Sequence, residues 1–96
     1  MSQHQLKYMD MIDRLNAILT YIEFFKSSMT DSELLTAIQD QMDKHAITKR
    51  FIDNLNDMYV IKHPYLTPDP VTLTAVKLYV ILTDLEYKCK HDLTNK

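Results

Sequence analysis

Apolar residues recur every seven positions at the start of the chain: Tyr8, Leu15, Ile22 and Met29, with Met11, Ile18 and Phe25 between them. Ile12 and Leu19 widen that face, while Asp10, Asp13, Arg14, Asn16, Glu23 and Ser27 lie largely opposite. Apolar side chains spaced this way line one side of a 3.6-residue repeat, so the pattern predicts a long amphipathic helix over residues 3–27. The stripe lasts about three heptads, the lower limit for a coiled coil. A helix packed within its own bundle is the simpler expectation.

Thr30-Asp31-Ser32-Glu33 has the spacing of a capping box, and its acids suit the positive end of a helix dipole. A second helix is therefore expected from residue 31, with Leu34, Leu35, Ile38 and Met42 on one face. Beyond Asp43 the phase changes. Ile47, Phe51, Ile52, Leu55, Met58 and Tyr59 centre roughly 115° away on a wheel of about 100° per residue. A break near residues 43–46 restores one continuous apolar face, giving helices over 31–43 and 47–60.

The next stretch contains His63-Pro64 and Thr67-Pro68-Asp69-Pro70, and residues that precede proline are biased out of the α region. Asp69 and Pro70 make a good cap and first-turn pair, so the last helix should run over 70–91. It carries two apolar stripes. Val71, Ala75, Leu78, Leu82, Leu85 and Cys89 form one; Leu73, Val76, Val80 and Tyr87 form the other. Lys77, Asp84 and Lys88 leave only a narrow polar strip. A helix apolar on most sides is normally surrounded by protein, so it should be the centre of a bundle or the main contact of a dimer. Leu78-Tyr79-Val80-Ile81-Leu82 would also suit a strand, but the length of the pattern and the preceding cap favour helix.

The expected architecture is all-α: a small three- to four-helix bundle with a long N-terminal helix, a bent middle pair and a central C-terminal helix. Residues 1–96 read as one helical domain, with no repeat or low-complexity tract.

Composition sharpens the picture. Apolar residues, tyrosine included, make up 46% of the 96 positions although glycine is absent. That content hints at a self-association or partner surface. Phosphate-cradling loops, dinucleotide fingerprints and tight primed hairpins need glycine, so their usual forms are excluded. A net charge of −2 gives no overall field for nucleic acid or acidic membranes. One cysteine cannot form an internal disulfide, no stretch has the length and apolarity of a membrane span, and residues 1–5 lack a signal-peptide pattern. A cytoplasmic location is expected.

Candidate chemistry is sparse. Cys89 and His91 point about 200° apart on a helix, and His4, His45 and His63 lie in separate segments, so no metal site is expected. The serines are explained as helix caps, and Asp53 with Asp57 as a solvated face, so neither an enzyme nor a cofactor is expected. Lys44, His45, Lys49 and Arg50 form the densest basic cluster, at the expected bend. Residues 31–60 have the helix lengths of a helix-turn-helix, yet Thr36, Asp40 and Arg50 fall where that motif is apolar, and Gln41 stands at the usual turn glycine.

The leading expectation is a non-enzymatic protein-binding module, an adaptor or inhibitor of the kind phages and mobile elements encode, that also self-associates as a homodimer. Its candidate contacts are Tyr65, Lys44, Lys49, Arg50, Leu78, Leu82 and Leu85. The alternatives are a DNA-binding regulator using residues 31–60, and an oligomer that holds a small anionic ligand through Lys26, Lys44 or Arg50.

Overall fold

A computed structural model describes the backbone of residues 3–62 and 69–94, and the side chains of residues 10–61 and 69–91. Four helices follow in order: α1 (Gln3–Phe25), α2 (Asp31–Lys44), α3 (Lys49–Lys62) and α4 (Pro70–Thr94). Among the described residues there is no strand, so Leu78–Leu82 is helical.

Local chemistry sets the helix ends. A single 3-10 turn, Lys26–Ser28, closes α1, with the Ser28 hydroxyl donating to the Phe25 carbonyl at 3.0 Å. The capping box is complete at α2. The Glu33 amide donates to Thr30 Oγ1 at 3.2 Å, and the Thr30 amide donates to Glu33 Oε1 at 3.0 Å. The bond from the Thr30 amide, with a smaller contribution from the Thr30 side chain, holds the Glu33 carboxyl below its ordinary pKa of 4.5. Thr48 caps α3 by accepting the Phe51 amide at 3.0 Å, and Asp69 caps α4 by accepting the Thr72 amide at 2.8 Å.

The break between α2 and α3 falls at the expected place, and its geometry has a cause. Ile47 N–H donates to Met42 O at 2.8 Å, and Ala46 N–H donates to Asp43 O at 3.1 Å. This pair of bonds is a Schellman motif, which needs a left-handed residue at its turning point. Ala46 takes that role with φ of 57°. Glycine normally occupies this position, and the chain has none. The apolar contact that accompanies the motif joins Met42 and Ile47, both buried.

The core is one cluster of side chains from every element: Leu15, Ile18 and Ile22 of α1, Leu34, Ile38 and Met42 of α2, Ile47 of the turn, Ile52 of α3, and Val71, Ala75, Leu78, Leu82 and Leu85 of α4. No helix supplies more of it than α4, which packs against each of the other three. The C-terminal helix is therefore central, as its apolarity requires.

Central does not mean enclosed. Leu73, Val80 and Tyr87 of α4 are exposed, so one side of the helix stays open. The second apolar stripe occupies that side.

Candidate protein-binding face

On α4 the core stripe and the second stripe point in opposite directions, because Val80 lies about 160° from Leu78 and from Leu82 at 100° per residue. Packing Leu78 and Leu82 inward therefore drives Val80 outward. Leu73, Val80 and Tyr87 are 42, 58 and 67% exposed. Seven residues apart, they form a straight apolar line along the helix. Val76, half-buried, extends the line sideways. At its C-terminal end the rings of Tyr87 and His91 stack with centroids 5.7 Å apart and planes within 7°.

One flank of this line is polar. Lys77 and Asp84 lie beside Val80 on the wheel, about 60° and 40° to one side. Asp84 pairs with Lys88 at 3.0 Å, and that hydrogen bond raises the Lys88 pKa above 10.5. Lys77 has no ion-pair partner among the described residues.

Beyond this flank a shallow groove runs between α1 and α4. One section, about 490 Å³, is lined by Leu19 and Glu23 of α1 and by Val76, Lys77, Val80 and Ile81 of α4. A second, about 470 Å³, continues toward α2 past Lys26, Asp31, Leu34, Asp84 and Lys88. The first section is apolar at its floor with one charge of each sign at its edge. The second carries Glu23, Asp31 and Asp84 against Lys26 and Lys88, so carboxylates outnumber ammonium groups.

The residues expected to meet a partner are dispersed by the fold. Leu78, Leu82 and Leu85 are buried in the chain's own core, where they face α1, α2 and α3. They cannot serve as a free contact surface, and that expectation is corrected here: the other stripe of the same helix is the exposed one. Tyr65 lies outside the described residues. Lys44 and Arg50 are exposed, but Lys49 is engaged by Glu86 of α4 at 2.9 Å. That hydrogen bond raises the Lys49 pKa above 10.5, with Asp53 adding a smaller electrostatic contribution. The basic cluster at the bend is thus partly neutralised, and Asp53 and Asp57 follow it along α3. Arg14 of α1 approaches the same turn, its Nη1 lying 3.5 Å from the His45 carbonyl oxygen.

The sequence did hold a signal for the open face. Lys77, Asp84 and Lys88 sit beside the Leu73–Val80–Tyr87 line, and charged side chains mark the side that meets water. Another exposed feature lies at the end of α1, where Phe24 and Phe25 form an aromatic group with Tyr21, the Tyr21 and Phe25 rings lying 4.7 Å apart.

Among the described residues, no three His, Cys, Asp or Glu side chains gather as a metal-binding group. No described helix is long and apolar enough to cross a membrane. No family model matches the chain, and comparison with curated proteins and with solved structures returns no significant match. The face must be judged on its own chemistry.

Proposed function

We propose that this chain is a non-enzymatic protein-binding module, an adaptor or inhibitor, whose working surface is the outward face of α4. One observation carries the reading: Leu73, Val80 and Tyr87 stand in line in solvent on the helix that also forms the centre of the core. Leaving three such side chains in water forgoes the free energy of burying them, about 1.5–3 kcal/mol for each fully buried aliphatic or aromatic group. Aligned apolar residues rimmed by charge are what a partner helix or sheet requires of a docking surface.

The DNA-binding alternative is weaker. A recognition helix at α3 would have to present cations, yet Lys49 is held by Glu86 and the exposed residues that follow include Asp57. The small-anion alternative meets the same difficulty, because the groove that contains Lys26 has more carboxylates than ammonium groups.

The reading is tested by comparing partners captured from cytoplasm by the wild-type chain and by Val80→Glu. Any protein retained by the first and lost by the second is then purified and titrated directly against both. A partner that binds the two equally well overturns α4 as the working surface.

A further inference from the structure

The charges that flank the α4 line point to what covers it. We propose that the outward face of α4 pairs with the same face of a second copy, antiparallel, about a two-fold axis that passes close to Val80. This deepens the functional reading above and rests on it.

The two-fold follows from the order of residues. In a symmetric antiparallel pair, facing positions have numbers that add to a constant, and a side chain on one flank meets the partner's same flank. With the constant at about 160, Val80 meets the partner's Val80, and Leu73 meets the partner's Tyr87. The apolar line is covered from end to end. Lys77, which has no carboxylate of its own, comes opposite the partner's Asp84, and the symmetry makes this pair twice. At the ends, Asp69 comes opposite the partner's His91. Every charge that borders the line then meets its opposite or a neutral group.

The parallel arrangement lacks these matches. Its two-fold runs along the helices, so Val80 meets the partner's Val80 but the flanks are exchanged. Lys77 would face the partner's Val76 and Thr83 side, with no carboxylate there. Charge therefore selects the antiparallel pair, the role that flanking positions play in paired helices.

The seven-residue spacing also suits the contact. Knobs that repeat every seven residues stay in register along a neighbouring helix crossed at about 20°. From Leu73 to His91 the line is about 27 Å long, at 1.5 Å per residue. A single helix pair of that length falls below the roughly 800 Å² per partner of a standard interface. The dimer is accordingly a weak one.

Light scattering behind size exclusion, from about 1 to 500 µM, tests this, with circular dichroism to verify folding of each variant. The wild-type chain is expected to pass from monomer to dimer across that range. Val80→Glu should remain monomeric throughout, and Lys77→Asp should weaken dimerisation about tenfold by turning two attractions into repulsions. Asp84→Lys should weaken it similarly, and the double variant Lys77→Asp with Asp84→Lys should restore it to within about threefold of wild type. A wild-type monomer at every concentration overturns the pairing. So does a dimer that ignores Val80→Glu, or one the double variant fails to restore. None of these results touches the binding of a different protein at Val80, which the capture comparison reads separately.

Discussion

Lys49 at the start of α3 reaches Glu86 of α4, with Nζ 2.9 Å from Oε1 and 3.1 Å from Oε2. The pair links residues 37 positions apart and joins α3, which opens just after the Ala46 turn, to the central helix. Both side chains keep substantial contact with water, so the attraction is screened and its worth is modest.

Glu86→Gln is therefore expected to lower stability by less than about 1 kcal/mol, read as a small shift of the urea midpoint at unchanged slope. The Lys49 pKa is raised in the folded chain, so the stabilisation is complete below 10.5 and disappears as pH climbs through the raised value. In Glu86→Gln the Lys49 ammonium should titrate at lower pH by nuclear magnetic resonance. An unmoved titration would show that the ion pair does not persist in solution.

Ala46 offers the opposite direction. At φ of 57° its Cβ crowds the following carbonyl oxygen, a cost of roughly 1–2 kcal/mol that glycine does not bear. Ala46→Gly should raise stability by about 0.5–1 kcal/mol, the strain relieved outweighing the added freedom of the unfolded chain. Ala46→Val should lower it by more than that, because a branched side chain tolerates the left-handed region least. Equal midpoints for all three chains in urea would refute the left-handed turn.

At the start of α2, Thr30→Ala removes the acceptor for the Glu33 amide and should cost about 1 kcal/mol. The Glu33 carboxyl, depressed by its bond from the Thr30 backbone, stabilises the helix start above pH 4.5. That contribution fades as pH falls through the depressed value, since the protonated acid loses the bond. A carbon-detected titration of Glu33 in the wild type should give a midpoint below 4.5, and a midpoint at or above it would mean the capping box is not closed.

Leu78 and Val80 separate core from surface within one turn of α4. Leu78→Ala should cost about 2–5 kcal/mol, because the fully buried side chain leaves a cavity among α1, α2 and α3. Val80→Ala should change the stability of the dilute chain by less than about 0.5 kcal/mol. Thermal unfolding at the lowest workable concentration distinguishes the two, and similar losses would mean that α4 is rotated from the orientation described above.

Helices, ends and breaks were legible because their causes are local. Thr30 with Glu33, and Asp69 with Pro70, announce helix starts within four residues, and the shift of apolar phase after Asp43 announces the break. Residues 31–43 and 47–60 were expected as two helices, and α2 and α3 differ from those bounds by one or two residues. The thirteen-residue core, apart from Thr72 beside it, could be drawn from the predicted apolar faces.

In the sequence the inward side of α4 is marked only by Lys77, Asp84 and Lys88, which border the second stripe. Both stripes are apolar, so that mark alone commits neither of them, and the packing of three other helices around α4 completes the choice. Only in three dimensions do Leu78, Leu82 and Leu85 become core while Leu73, Val80 and Tyr87 become surface. The same holds for charge. Lys49 reads as part of a basic cluster along the chain, and its neutralisation comes from Glu86, a residue that only packing of α3 on α4 brings near. Local sequence governs backbone conformation through short-range sterics and caps; orientation and charge pairing depend on contacts between distant segments, which exist only once the chain has folded.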